Sequence, residues 1–273
     1  MFNLILLSLI IAVVLVVSSS YNSILYDMPV SNHGARIRLI IYGKGITNEI
    51  SIQEVFTIGG MKSEEYLRLN PLGKMPLLVE SDGYPIPESD VIARYICDKY
   101  SDKRPSFIPS NSMLKVLNDQ ICRWHDVYIS NIQGCMYKAP GTSFSIHGTN
   151  RKAALNELKQ RLTEIEGLVT NFETKYPNLC NNSKSGYLCG GNDNEISLAD
   201  VTLFPTAVFL MFMLPTFFQW KNEDVLGPRL TKWYNFMLTV PYIKKVYDEM
   251  IPPLVKWKDS GRFDPIIEEM KKY

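Results

Sequence analysis

Two short motifs in residues 70–99 carry residue types that suit the binding of a peptide-like ligand. Met75-Pro76 stands at the entrance to a predicted strand, where a proline is tolerated because it removes no ladder donor. A cis bond there costs only about 0.5–1 kcal/mol and turns the Met75 N–H and C=O outward, toward such a ligand. Glu88-Ser89 stands at a predicted helix N-terminus, where free N–H groups favour a bound carboxylate. An acidic acceptor beside an anion site suits the α-amino and α-carboxyl groups of one amino acid.

The order of these motifs resembles that of a known family. The sequence runs NPLGKMPLLV, passes a predicted turn at Asp82-Gly83 and continues as IPESDVIARYI. This order is similar to the glutathione-binding half of the soluble glutathione transferases. The resemblance implies that the Met75 backbone pairs with the cysteinyl part of glutathione and that Pro76 is a cis proline.

The resemblance also implies roles for four side chains of the same half. Glu88 and Ser89 are expected to hold the γ-glutamyl end of glutathione. Lys62 aligns with a lysine that some serine-type classes use on the glycyl carboxylate, and Lys74 lies at the neighbouring position. The alternative from the residues alone is that Pro76 only starts a strand, that Ser89 only caps a helix and that each lysine is a solvated surface residue.

Ser31 is the candidate catalytic residue. It lies between a predicted strand (residues 23–28) and a predicted helix that follows Gly34. A comparison without gaps places it where the serine-type classes (theta, phi, tau and zeta) carry the serine that donates to the glutathione sulfur. A thiol with a pKa of about 8.5 is mostly protonated at neutral pH, and one hydrogen bond to its charged form contributes about 1.5–3 kcal/mol. A single hydroxyl can therefore lower the thiol pKa by about one to two units.

The neighbours of Ser31 limit the alternatives. Other classes of the family carry a catalytic tyrosine at the position of Asp27, and Tyr26 is one residue away, on the opposite face of a strand. His33 is interpreted as a surface or supporting residue and not as a base, because no partner histidine or acid pattern is nearby. Residues 23–75 contain no cysteine, which disfavours the mixed-disulfide chemistry of the family's thiol-transferase classes.

Composition and hydrophobic pattern divide the chain into two domains. The 273 residues are 46% apolar with a formal net charge of +1, so no basic surplus predicts nucleic-acid binding. Residues 23–100 alternate predicted strands and helices, which the resemblance identifies as a thioredoxin-like α/β domain. Residues 101–111 are interpreted as a linker because they contain two prolines. Residues 112–273 show only helical periodicity and form a predicted all-helical domain.

The predicted helical domain contains the candidates for an acceptor pocket. One long helix is predicted to end near Gly134, and a second is predicted to span residues 151–176. By resemblance, the pocket for a hydrophobic acceptor lies between the first of these helices and the glutathione site. Core packing is the favoured role for any single one of its candidate wall residues, which are Trp124, His125, Tyr128 and Tyr137.

A capping box marks the start of a central helix. Ser197 and Asp200 have the spacing at which each side chain can satisfy the other's backbone N–H, and Ile196 with Val201 can form a hydrophobic staple. The same box opens the central C-terminal helix of the family that the chain resembles. The apolar run that follows is predicted to be a buried core helix, broken near Pro215, and not a membrane span.

The N-terminal residues predict entry into a membrane system. Residues 1–17 are almost wholly apolar and are followed by three serines. This pattern favours a signal peptide within residues 1–22, and a tilted membrane anchor is the alternative. The expected location is the secretory pathway or a membrane, or the cytoplasm if the segment is not used. In an oxidising lumen Cys180 and Cys189 can form a disulfide and Asn181 can carry a glycan.

The resemblance implies a glutathione transferase that conjugates glutathione to small hydrophobic electrophiles and acts as a homodimer. Glutathione is then a co-substrate, and no metal, nucleotide or further cofactor is implied. Two alternatives stay open: a non-catalytic glutathione-fold module that binds ligands or partner proteins, and a zeta-like isomerase. The zeta-like class requires a cysteine where this chain has His33, and the presence of Ser31 together with Glu88-Ser89 favours the conjugating enzyme.

Overall fold

The computed structural model describes residues 22–140, 150–180, 186–190 and 195–271. Four strands of these residues form one sheet with the order β2-β1-β3-β4. Strand β1 pairs with β2 in parallel and with β3 antiparallel, and β4 pairs antiparallel with β3. The strands are β1 (Ser23–Asp27), β2 (Ile50–Glu54), β3 (Leu77–Val79) and β4 (Pro85–Pro87).

Helices cover the sheet and make up the remainder of the described chain. Those of the sheet-containing half are α1 (Asn32–Lys44), α2 (Glu64–Leu69) and α3 (Ser89–Lys99). Those of the second half are α4 (Ser112–Trp124), α5 (Ser130–Ile132), α6 (Arg151–Lys175), α7 (Pro177–Cys180), α8 (Leu198–Phe218), α9 (Asn222–Val225), α10 (Pro228–Met237), α11 (Pro241–Asp259) and α12 (Asp264–Met270). The predicted fold class, a thioredoxin-like α/β half followed by a helical half, is therefore confirmed.

Polar side chains set where several helices begin. Ser31, Ser63, Asn111 and Asn150 each accept a hydrogen bond from a backbone N–H in the first turn of the helix that follows. These contacts satisfy donors that have no partner within the helix, which is why serine and asparagine are favoured at this position.

The two halves pack along α1. This helix contacts α8 and α11 of the helical half as well as α3 of its own half. Its last residue, Lys44, donates to the backbone carbonyls of Tyr100, Lys103 and Pro105 at 2.9–3.0 Å. The predicted linker is thus fixed to the end of α1.

Helix α8 is the central helix of the second half. Among the described residues it has the length and hydropathy of a membrane span, but 67% of its apolar window is buried inside the protein. The predicted core role is confirmed. The predicted break near Pro215 is wrong, because the helix runs through Pro205 and Pro215 and ends at Phe218. Met213 and Leu214 are fully buried on the preceding turn, and this packing holds the helix where one backbone donor is missing.

The predicted capping box at the start of α8 is present. Asp200 is fully buried, and its carboxylate accepts from the Ser197 N–H at 2.8 Å and from the Ser197 hydroxyl at 2.6 Å. It also accepts from the Leu188 N–H at 2.9 Å and from the indole N–H of Trp233 at 2.8 Å. Burial raises the pKa of Asp200, and these donors oppose that effect. One carboxylate therefore joins a loop, α8 and α10.

The cysteines of the described residues are free thiols. Cys189 is buried and Cys180 partly buried, and no bond joins them in this structure, so a disulfide between them in an oxidising lumen stays a prediction. Asn181 and residues 1–21 lie outside the described residues. The predicted glycan and N-terminal segment therefore stay predictions.

Candidate functional site

A cavity of about 500 Å³ opens between the two halves. This volume lies within the range of about 300–1,000 Å³ that is usual for small-ligand sites. The α/β half contributes His33, the loop before β3 and the start of α3, and the helical half contributes side chains between residues 119 and 131. The predicted binding residues that line the cavity are Lys74, Met75, Pro76, Glu88 and Ser89.

Buried side chains hold the loop that enters β3. The Tyr66 hydroxyl donates to the Lys74 carbonyl at 2.6 Å, and the Asn70 amide donates to the same oxygen at 2.8 Å. Tyr66 is fully buried, so the loop rests on a rigid support. The Met75-Pro76 peptide bond is cis, as the resemblance implies. The support fixes the Met75 backbone at the cavity wall.

Glu88 and Ser89 stand at the start of α3 and line the same cavity as this loop. Glu88 is the N-cap residue and has a φ of +70°, a value that is uncommon for residues other than glycine. Strained backbone of this kind occurs preferentially at ligand sites. Ser89 is 8% exposed, and its hydroxyl accepts from Arg36 at 3.3 Å. The start of α3 thus presents a carboxylate, a hydroxyl and a helix N-terminus to the cavity.

Arg36 is a residue of this site that sequence reasoning missed. Its side chain is 1% exposed and pairs with Asp90 at 2.6 Å and with Asp126 at 3.1 Å. Together with its contact to Ser89, these pairs connect α1, α3 and the segment after α4. A sequence signal existed, since an arginine inside an apolar helix needs charged partners when it is buried. The identity of those partners depends on the tertiary structure.

His33 lines the cavity and bridges the two halves. Its Nε2 lies 3.0 Å from the Ser130 hydroxyl oxygen, and its Nδ1 lies 3.4 Å from that of Ser89. Burial, with further contributions from His125 and Arg36, lowers the pKa of His33 to about 4. The imidazole is therefore neutral at neutral pH and is a weak base. The imidazole contacts one serine hydroxyl in each half and so connects the two halves.

The helical wall differs from the prediction. None of the four predicted wall residues belongs to the cavity lining in the part of the chain that the structure describes. The side chains that line the cavity from this half are Asp119, Cys122, Arg123, Asp126, Val127, Ser130 and Asn131. This wall is mainly polar, whereas the prediction was a wall of aromatic and apolar groups.

A π-helical turn spans His125–Ile129, within the predicted wall. A π turn inserts one residue into the helical repeat and rotates the following side chains relative to a regular α-helix. Tyr128, within this turn, lines a neighbouring surface depression together with Trp124, which precedes the turn. His125 is buried against Thr206 at 2.7 Å, and Tyr137 packs edge-on against a phenylalanine of α8.

Ser31 and Lys62 lie beside the cavity, outside its lining as traced over the described residues. Ser31 is partly exposed, and its Oγ accepts the Gly34 N–H at 3.0 Å as the N-cap of α1. Accepting a hydrogen bond leaves the hydroxyl proton available for donation. The Lys62 ammonium lies against Gly73, next to the cavity-lining Lys74. Within the predicted set, five residues therefore meet in one cavity and two lie at its margin.

Comparisons with known proteins agree with this architecture. Residues 25–104 match the family described as glutathione S-transferase, N-terminal domain. Glutathione S-transferase 3 of Zea mays is 35% identical over 88 residues, which are 32% of this chain and 39% of the maize protein. Glutathione S-transferase U10 of Arabidopsis thaliana is 28% identical over 246 residues, which are 87% of this chain and 93% of the relative.

A solved structure shares the fold over the same range. The tau-class glutathione S-transferase of mango (Mangifera indica) superimposes with a TM-score of 0.63 at 23% identity, covering 88% of this chain and 99% of the mango chain. The fold, the family match of the N-terminal half and the relatives that align over most of the length all agree. Residues 25–104 match the glutathione S-transferase N-terminal domain family, and the chain as a whole is similar to soluble glutathione S-transferases in sequence and fold.

Proposed function

We propose that this protein is a glutathione transferase that conjugates glutathione to small hydrophobic electrophiles. The observation that carries the proposal is the cavity in which the Met75 backbone, Glu88 and Ser89 come together. The named relatives are themselves glutathione S-transferases. Their similarity supports the transferase activity, and the site geometry supports the binding of glutathione.

Each end of glutathione has a complementary group in this proposal. Glu88 accepts from the γ-glutamyl ammonium, and Ser89 with the N-terminus of α3 donates to the neighbouring carboxylate. The N–H and C=O of Met75 pair with the cysteinyl backbone. Lys74 attracts the glycyl carboxylate, and Lys62 is close enough to the same loop to add to that attraction.

The proposed catalytic step is the stabilisation of the glutathione thiolate by Ser31. The Ser31 hydroxyl already accepts the Gly34 N–H, which fixes the position of Oγ and leaves the proton for the sulfur. A donor of this kind favours the charged thiolate over the thiol, and the thiolate is the nucleophile. The positive end of α1 lies beside the same position and acts in the same direction.

Steady-state turnover with a panel of electrophiles tests the proposal. The panel is graded from apolar to polar because the helical wall of the cavity is mainly polar. We expect calorimetric binding of glutathione and conjugation of at least one apolar electrophile above the uncatalysed rate. Binding without any turnover would favour the non-catalytic module, and a glutathione-dependent isomerisation would favour the zeta-like alternative. Absence of glutathione binding would contradict the assignment of the cavity.

We further propose that two copies associate through the outer faces of α3 and α4. Exposed apolar side chains occur on both helices, among them Val91 at 53% and Val116 at 46%, with Tyr128 at 43% beyond the end of α4. Charged side chains surround them, and such a patch with a polar rim is typical of a protein interface. Sedimentation of the wild type and of Val116→Lys tests this proposal, since the added charge is expected to dissociate the pair.

The location of the protein stays a proposal based on residues 1–17. We propose that they direct the chain into the secretory pathway or retain it in a membrane. Fractionation of a eukaryotic cell, together with the apparent mass of the wild type and of Asn181→Gln, distinguishes the cases. A wholly cytosolic product of unchanged length would contradict the proposal, and membrane retention at full length would select the anchor.

A further inference from the structure

Asp27 lies directly behind the proposed catalytic residue and has an unusual environment. It is the last residue of β1 and is 2% exposed. Its Oδ2 accepts from Arg38 at 2.9 Å, whereas Oδ1 is buried and makes no hydrogen bond to any described residue. A buried carboxylate oxygen without a donor is costly, so it is rarely retained without a role.

The free oxygen of Asp27 points at the first turn of α1. A Cβ added to Gly34 would lie only 1.6 Å from Asp27 Oδ1, so the absence of a side chain at Gly34 is what admits the carboxylate there. The Gly34 N–H donates to Ser31 Oγ at 3.0 Å, and this is the hydrogen bond by which Ser31 caps α1. The buried carboxylate and the proposed catalytic hydroxyl are therefore packed against the same residue.

The Ser31 hydroxyl lies close enough to this carboxylate to lower its pKa, although Oδ1 has no hydrogen-bond partner among the described residues. Burial raises the pKa of Asp27 to about 6, while Arg38, the Met28 N–H and the Ser31 side chain lower it. Because Oγ already accepts the Gly34 N–H, its one proton can be given either to Asp27 or to a ligand atom, and not to both.

We propose that Asp27 is a positioning residue for Ser31: the unpartnered Asp27 Oδ1 attracts the Ser31 hydroxyl proton in the ligand-free protein, and the same proton is donated to the glutathione sulfur on binding. This inference rests on the proposed thiolate role of Ser31. The carboxylate then competes with the sulfur for one proton and moderates the stabilisation of the thiolate. No covalent bond forms or breaks in this exchange.

The surroundings of Asp27 allow a specific test. The groups that face it are Arg38 and Tyr42 of α1 and Tyr66 of α2. Glu249 of α11 reaches this network through Arg38, with which it forms an ion pair, and through Tyr42, whose hydroxyl donates to it at 2.9 Å. Glu249→Gln therefore changes the same charge network without touching Ser31 and serves as the matched control.

The first experiment titrates the Asp27 carboxyl carbon by NMR in the full chain, with Asp27→Asn used for assignment. Loss of the Ser31 hydroxyl in Ser31→Ala should raise the Asp27 pKa by up to about one unit, because a nearby donor favours the charged carboxylate. Glutathione should raise it in the wild type, and S-methylglutathione, which cannot form a thiolate, should raise it less. An Asp27 pKa that is the same in wild type and Ser31→Ala would overturn the proposal.

The second experiment measures the thiol pKa of bound glutathione by ultraviolet thiolate absorbance. Asp27→Asn keeps the shape but weakens the competing acceptor, so this pKa should fall by about one unit, while Glu249→Gln should leave it unchanged. An unchanged thiol pKa in a folded Asp27→Asn protein would reduce Asp27 to a structural partner of Arg38. If Ser31→Ala moves the Asp27 titration but not the bound-thiol pKa, the contact is real and the proposed function fails instead.

Discussion

Two carboxylates, one in each half of the protein, are buried beside the first turn of a helix. Asp200 at the start of α8 accepts four hydrogen bonds from a loop, a serine and a tryptophan. Asp27 behind α1 has an ion pair on one oxygen, and its other oxygen makes no hydrogen bond to a described residue. Burial is almost total for both, so the difference lies in their partners.

From this difference we interpret Asp200 as a carboxylate that stabilises the fold and Asp27 as one that acts on the proposed site. A fully satisfied carboxylate fixes the elements that donate to it, and its removal leaves several donors without a partner. A buried carboxylate with one unpaired oxygen is held at an electrostatic cost, and a nearby hydrogen-bond donor can lower that cost. Asp200 is therefore expected to determine stability, and Asp27 to affect the chemistry of Ser31.

The largest expected effect is on stability at Asp200. Asp200→Ala removes the acceptor of four donors, so we expect a loss of about 3 kcal/mol or more in the free energy of unfolding. Ser197→Ala removes only one of these donors and should cost about 1 kcal/mol. Urea unfolding measures both variants. Glutathione affinity of the folded protein should persist, and an Asp200→Ala loss no larger than that of Ser197→Ala would contradict the comparison.

The next effect is the pH dependence of stability near the site. The Asp27 pKa is raised to about 6 in the folded protein, so the folded state binds the extra proton and stability falls as pH rises from 4 to 6. Two pKa units correspond to about 3 kcal/mol. His33, with its pKa lowered to about 4, acts in the opposite sense, since the unfolded state binds more protons and stability rises over the same window.

Variants of these two groups make the opposing contributions visible. Asp27→Asn should show stability that rises with pH between 4 and 6 more steeply than in the wild type, because the His33 contribution is then unopposed. His33→Gln should show the reverse slope. Urea unfolding at a series of pH values measures both variants. Curves parallel to that of the wild type would mean that neither group is perturbed by burial.

A smaller effect is expected on binding at the start of α3. Ser89→Ala and Glu88→Gln each remove one charge-assisted hydrogen bond to the γ-glutamyl end, which should weaken glutathione affinity about tenfold to a hundredfold. Stability should change little, in contrast to Asp200→Ala. Glu64→Gln on the exposed surface of α2 is the control. Calorimetric titration provides the affinities, and unaltered binding in both site variants would remove this subsite.

The sequence predicted local features better than their surroundings. The strand-turn-helix order around Met75 and Ser89, the start of α3 and the box at Asp200 follow from turn residues, caps and spacing, and all are present. Of the four candidate wall residues, His125 and Tyr137 take the core-packing role that was favoured for any single one of them. Trp124 and Tyr128 line a separate depression, where a π turn at His125–Ile129 shifts the helical periodicity in a way that no residue of the segment indicates.

Long-range partners were the other feature that the sequence did not reveal. The ion pairs of Arg36 with Asp90 and Asp126 join residues 54 and 90 positions apart. The contact of Asp27 with Gly34 depends on how the chain passes from β1 to α1, and neither residue is unusual at its position when the sequence alone is considered. Such pairs are fixed by tertiary packing and not by local pattern, so the polarity of the cavity also became visible only in the folded chain.

The most direct test of the central claim is a pH titration of the ultraviolet thiolate absorbance of bound glutathione in wild type and Ser31→Ala. Ser63→Ala, which removes an equivalent helix cap on α2, controls for lost stability. We expect the bound-thiol pKa to be about one to two units higher in Ser31→Ala than in wild type or Ser63→Ala. Superimposable curves for all three proteins would contradict the claim that the Ser31 hydroxyl stabilises the thiolate.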